Sequence, residues 1–105
     1  MSKIITIAVD AMGGDNSPHK VINGIILHHR NSKNSFYKIF GDAEIIEKII
    51  SKNLPQDTYE LIHTNEFIKD TDSALGAAKR GKNTSMWLAI DSVKNKDSDV
   101  IISAG

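Results

Sequence analysis

The sequence predicts an α/β fold with a mostly parallel sheet covered by helices on both faces, and three observations carry that expectation. Short apolar runs alternate with stretches of helical periodicity along the chain. The first run, Ile4 to Val9, is apolar apart from Thr6, as a strand buried on both faces requires. A loop with two adjacent glycines, Gly13 and Gly14, follows that strand and leads into a helical pattern.

The elements follow in order. Val21, Ile22, Ile25, Ile26 and His29 recur at helical spacing, predicting a helix from about Pro18 to Arg30, with Ser17 as its cap and Pro18 in its first turn. Asn31 to Ser35 is a polar loop, Phe36 to Phe40 a second strand, and Gly41-Asp42 its stop. Ile45, Ile46, Ile49 and Ile50 form one stripe of a second helix ending near Asn53, ahead of Pro55. Tyr59 to His63 reads as a third strand. Thr84 or Asn83 can cap a helix with Met86, Ala89, Ile90 and Val93 on one face, and Asp99 to Ser103 is the last strand. No internal repeat or low-complexity tract interrupts this pattern.

A chain of 105 residues has room for one small domain. Thirteen basic and thirteen acidic residues cancel, so bulk charge gives no reason to expect a nucleic-acid or anionic-membrane surface. The lack of cysteine excludes disulfides, thiolate metal sites and a cysteinyl acyl-enzyme. No apolar run approaches the roughly 20 residues that span a bilayer, and the apolar start is too short for a signal peptide. The expected location is cytoplasmic.

Three segments can carry chemistry. Asp10 to Pro18 joins a strand to a helix through two glycines, and a helix N-terminus favours an anion such as phosphate. The plainer alternative is a tight turn in which Asp15 and Asn16 satisfy local N–H groups. Lys79 to Met86 places Lys79, Arg80 and Lys82 ahead of the hydroxyls of Thr84 and Ser85, which suits phosphate but also describes a solvated basic turn before a capped helix. Ser103-Ala104-Gly105 follows the last strand, where α/β folds begin a ligand loop, although Ser-Ala-Gly is a common strand exit. Gly41-Asp42 is a turn with a helix-capping aspartate. His19, His28, His29 and His63 show no ligand spacing and are read as ordinary surface or edge residues. There is no G-x-S-x-G elbow, Walker A loop or G-x-G-x-x-G run, so neither a hydrolase triad nor a nucleotide cofactor is indicated.

The same three segments carry a resemblance. Asp10-Ala11-Met12-Gly13-Gly14-Asp15-Asn16-Ser17-Pro18 resembles the N-terminal signature of the PlsX-type phosphate acyltransferases. Arg80, Lys82, Ser85 and Met86 match that family's Arg-Lys-Lys-x-Ser-Ser-Met stretch, and Ser103-Ala104-Gly105 resembles the start of its Ser-Ala-Gly-Asn-Thr-Gly motif. Gly41-Asp42 resembles its Val-Gly-Asp. The sequence departs from the pattern at Gly81, where lysine is common, at Thr84, where serine is common, at Ala74 in place of a proline, and at Gly76, where arginine can occur. Gly81 and Gly76 remove positive charge.

The resemblance implies a three-layer α/β/α sandwich of the isocitrate-dehydrogenase and phosphotransacetylase type. It implies that residues 1–105 are the N-terminal third of a single such domain, truncated at its C-terminal end. The implied reaction transfers a long-chain fatty acyl group from acyl carrier protein to inorganic phosphate, giving acyl phosphate for phospholipid synthesis, with no cofactor and no metal. Implied catalytic residues are Asp10, Asp15 and Lys82. Implied phosphate and substrate contacts are Gly13, Gly14, Asn16, Ser17, Arg80, Asn83, Ser85, Ser103 and Gly105. The family's enzymes are homodimers, peripheral to the membrane, through regions not found in this sequence. Two further readings stay open, a non-catalytic remnant and a phospho-ligand binding module.

Overall fold

The computed structural model describes residues 4–13, 16–65 and 84–103. Its strands are β1 (Ile5–Asp10), β2 (Ser35–Gly41), β3 (Tyr59–His63) and β4 (Val100–Ser103), and its helices are α1 (His19–Asn31), α2 (Ala43–Ile50) and α3 (Ser85–Lys94). A 3-10 turn, Gln56–Thr58, leads into β3. The four strands form one sheet in the order β3-β2-β1-β4, and every neighbouring pair is parallel. Asp10 ends β1 level with Phe40 on one side and Ser103 on the other.

The alternation of side chains along each strand divides the core into two layers. Ile7 and Val9 of β1 join Tyr37 and Ile39 of β2 on the face packed by Ile22, Ile25 and Ile26 of α1 and Ile46 and Ile50 of α2. Ala8 and Phe40 point the other way, onto Ala89 of α3. The expected sandwich, helices on both faces of a parallel sheet, is thus present. Each fully buried isoleucine contributes about 1.5–3 kcal/mol, which makes the first layer the main source of stability.

Several local expectations need correction. Ser17 does not cap α1: the N-cap is Pro18, which has no side chain able to cap, and Ser17 lies one residue before it, where its hydroxyl donates to the Gly13 carbonyl inside the loop. The second helix ends at Ile50 rather than near Asn53, since the Ile50 carbonyl accepts the N–H groups of both Asn53 and Leu54 and closes the helix with a turn. The inward face of α3 is Ser85, Ala89 and Ser92, whereas Ile90 stays exposed. Small residues at i, i+4 and i+7 let that helix lie close to the sheet. Two expectations are met by side-chain caps: Asp42 accepts from the N–H groups of Glu44 and Ile45, and Thr84 accepts from Trp87.

The placement of β4 beside β1 has its own lock. Asp99 donates its N–H to the Thr6 carbonyl (2.7 Å), and its carboxylate accepts from the Thr6 N–H (2.9 Å). This pair fixes the register that brings Ser103 level with Asp10.

Candidate functional site

The sheet order creates the site. From β1 the chain passes through α1 to β2 on one side, whereas β4, reached through α3 on the opposite face, lies on the other side of β1. Connections leaving adjacent strand ends towards opposite faces open a crevice at the carboxyl end, where α/β sheets bind ligands. Asp10 is the last residue of β1 at that point. Strand alternation turns its side chain away from α1 and towards the N-terminus of α3.

Asp10 is only 1% exposed, and among the described residues three donors surround its carboxylate. Its Oδ1 accepts from the Ser85 hydroxyl at 2.5 Å and from the Met12 N–H at 3.2 Å, and its Oδ2 accepts from the Ser103 hydroxyl at 2.8 Å. Ser85 is itself 1% exposed, whereas Ser103 is exposed. A buried carboxylate is costly without such donors, so the set offsets its desolvation. The carboxylate therefore joins three segments that lie 75 and 93 residues apart in the chain.

The remaining expected residues divide into two groups. Gly13 is buried, and its carbonyl takes the Ser17 hydroxyl, which closes the loop after β1. Asn16 is exposed at φ 63°, a left-handed conformation that asparagine tolerates, and its carbonyl accepts the Lys20 N–H at the head of α1. Gly14, Asp15, Arg80, Lys82, Asn83 and Gly105 lie outside the described residues. Sequence reasoning missed the Met12 N–H and the Thr6–Asp99 pair. Each has a backbone N–H as its donor to a carboxylate, and no residue type announces that donor.

Other polar groups serve the scaffold. The His28 Nδ1 lies 2.6 Å from the Tyr37 hydroxyl, and the His63 Nδ1 accepts from the Ala43 N–H. Burial pushes the Tyr37 phenol above its ordinary value, and burial followed by the Glu47 charge does the same for Tyr59. Burial, and then the charges of Lys33 and His28, holds His29 below the ordinary histidine value, against an opposing pull from Asp57. None of these groups touches Asp10. An apolar groove of about 400 Å³ between α1 and the sheet, lined by Val9 and Ile102 among others, lies on the face opposite the Asp10 carboxylate. Among the described residues no cluster of three or more histidines and carboxylates could hold a metal, and no helix is long and apolar enough to cross a membrane.

Comparison with known proteins bears on this geometry. The profile of a family described as "Fatty acid synthesis protein" matches residues 5–105. A protein of Pelagibacter ubique (strain HTCC1062), named phosphate acyltransferase, is 63% identical over 105 residues, covering 100% of this chain and 31% of the relative. Proteins with the same name from Oenococcus oeni and Enterococcus faecalis are 36% and 38% identical, over 100% and 94% of this chain and 30% and 29% of their own lengths. The chain thus spans just under a third of the length of these curated relatives.

Proposed function

The chain belongs to the fatty acid synthesis protein family, and from that premise we propose that the crevice at Asp10 is the phosphate-binding part of a phosphate acyltransferase site. The observation that carries the reading is the meeting of Asp10, Ser85 and Ser103, one residue from each of the three segments with phosphate-site chemistry. The reaction is acyl transfer from the thioester of acyl carrier protein to inorganic phosphate. A phosphate oxygen attacks the thioester carbonyl, the C–S bond breaks, and acyl phosphate and the carrier thiol are released.

Such a reaction asks for a held nucleophile and a stabilised oxyanion, with no covalent enzyme intermediate. In this reading the Gly13-Gly14 loop and the head of α1 supply backbone N–H groups, with Asn16 and Ser17 beside them. Arg80 and Lys82 neutralise phosphate charge, Asn83 and Ser85 border the anion, and Ser103 and Gly105 line the mouth where the thioester arrives. Asp10 orients the hydroxyls, and Asp15 orients donors or moves a proton. The working assembly is a cytoplasmic homodimer served by acylated carrier protein.

The test measures phosphate-dependent consumption of a long-chain acyl-acyl carrier protein by the 105-residue chain, alongside phosphate binding by calorimetry. Turnover that vanishes without phosphate supports the transferase. Phosphate binding without turnover favours a phospho-ligand binding module, the reading that the crevice alone also fits. Lys82→Ala is expected to weaken phosphate binding about tenfold, the loss of one charge-assisted contact. A chain that binds no phosphate removes the proposal.

A further inference from the structure

The two edges of the sheet are built differently. β3, the edge beyond β2, carries Glu60, whose carboxylate lies 3.8 Å from the Lys38 ammonium of β2. A charge on an edge strand opposes further strand pairing. β4, the other edge, pairs only with β1 among the described residues and carries no charge from Val100 to Ser103. Its register sets Val100 and Ile102 level with Ile7 and Val9 on the α1 face, and Ile101 level with Ala8 on the α3 face. Val100, Ile101 and Ile102 are 45%, 38% and 51% exposed. A parallel strand that is apolar on both faces has the composition of a sheet interior, yet here both faces are open.

The α1 face beside β4 carries a second sign of the same kind. The apolar groove of about 400 Å³ has Val9 and Ile102 on its sheet side. Lys20, Gly24 and His28 form its helix side, a single ridge of α1 at i, i+4 and i+8. Gly24 makes a gap at the centre of that ridge. It is exposed, and a Cβ there would meet nothing within 4 Å outside its own helix, so the neighbours described do not require a glycine. Glycine weakens a helix interior, and what it permits is the close approach of another segment of backbone.

We propose that the β4 edge and the groove at Gly24 form one docking surface for the part of the curated phosphate acyltransferases that lies outside the matched region. The chain covers 31% of the Pelagibacter relative and 30% of the Oenococcus one, so most of the polypeptide in these relatives is available to pack there. The docked segment adds a strand along β4 and sets apolar side chains into the groove. Backbone hydrogen bonds along the edge fix its register, and burial of Val100, Ile101 and Ile102 drives the association. The surface goes beyond the phosphate reading and does not depend on it.

The experiment co-expresses the 105-residue chain with the Pelagibacter relative from which the matched segment has been removed, each with its own tag. Tandem purification and light scattering are expected to show a one-to-one complex. Within it the β4 amides should exchange at least about tenfold more slowly than in the chain alone. Ile102→Lys puts a charge on the edge, and Gly24→Phe fills the groove from a solvent-open position; each is expected to weaken association at least about tenfold. Ile45→Lys, at an exposed apolar position of α2 away from β4, should leave it unchanged. Urea unfolding followed by Trp87 fluorescence shows which variants are folded. The proposal is overturned by the absence of a complex, or by a remainder that stays insoluble beside the chain. A folded Ile102→Lys or Gly24→Phe chain that associates like wild type overturns it too, as does Ile45→Lys weakening the complex equally. So does a dimer of the 105-residue chain alone with protected β4 amides, because the occupant is then a second copy. Each of these results leaves the phosphate reading standing, since calorimetry tests that on the chain by itself.

Discussion

Removing the Ser85 hydroxyl tests whether the buried carboxylate is what holds α3 against the end of β1. Ser85→Ala deletes a hydroxyl–carboxylate bond of 2.5 Å in which both partners are 1% exposed. A charge-assisted bond of this kind contributes about 1.5–3 kcal/mol, a large share of the ~5–15 kcal/mol typical of a folded domain. Asp10→Ala goes further, leaving the Ser85 hydroxyl and the Met12 N–H without their acceptor, and is expected to cost about 3–5 kcal/mol. In the double variant the Ser85 hydroxyl is gone as well, so that pair leaves no stranded member, and only the Met12 N–H still lacks its acceptor. The two losses therefore overlap, with a coupling of about 1.5–3 kcal/mol. Urea unfolding followed by Trp87 fluorescence reads this directly, since Trp87 is the single tryptophan and sits two residues after Ser85. Ser103→Ala, at an exposed position, should cost less than about 1.5 kcal/mol in the same assay. Additivity of Asp10→Ala and Ser85→Ala to within about 0.5 kcal/mol would refute the pairing as an energetic link.

Four other outcomes follow from the same structure. Gly41→Ala places a Cβ 2.9 Å from both the Met12 Cγ and the Ile46 Cδ1, so a loss of about 1–3 kcal/mol is expected in urea unfolding. Lys96 holds the left-handed conformation after α3 at φ 65°, where glycine carries no Cβ penalty; Lys96→Gly is expected to raise the unfolding free energy read by urea titration by about 0.5–1 kcal/mol. His29 is held below its ordinary 6.5, so the unfolded chain takes up its proton first as pH falls. Its contribution to stability is thus present above about pH 6.5 and lost below it, and His29→Gln should flatten that part of a stability-against-pH curve. Both tyrosines are raised above 10.0 in the folded chain, so the unfolded chain releases their protons first. Stability present below pH 10 is then lost as pH rises further, and a phenolate absorbance titration should lag in native relative to urea-unfolded protein.

The alternation of apolar runs with helical stripes was enough to read every described strand and helix, because a strand buried on both faces and a one-sided helix leave different periods. What the periods lack is the direction of burial when small residues do the packing. Met86, Ala89, Ile90 and Val93 look like the inward face of α3; Ala89 is buried there and Val93 packs against the same cluster, but Ile90 is exposed and Ser85 and Ser92 are buried, since close approach to Ala8 and Phe40 favours small side chains. Ser17 illustrates a second blind spot. A serine before a proline and a helical run has the features of a cap, but the helix begins one residue later, with Pro18 at the N-cap, and the Ser17 hydroxyl donates to the Gly13 carbonyl. Asp10, Ser85 and Ser103 could be marked as chemistry-bearing from residue type and position. Their convergence could not, because it depends on β4 returning to β1 instead of extending the sheet beyond β3.

That return also explains why a carboxylate suits position 10 better than its closest neutral isostere. Two donors come to Oδ1, one of them a backbone N–H that cannot reverse, and a third comes to Oδ2 from the opposite strand. An asparagine can serve the first pair or the last donor, but not both, since its two ends differ in sign. Ionised aspartate alone accepts at both ends. Its negative charge, buried at the mouth of the crevice, also sets a condition on any anion that binds there. The anion must be held where N–H donors outweigh that repulsion.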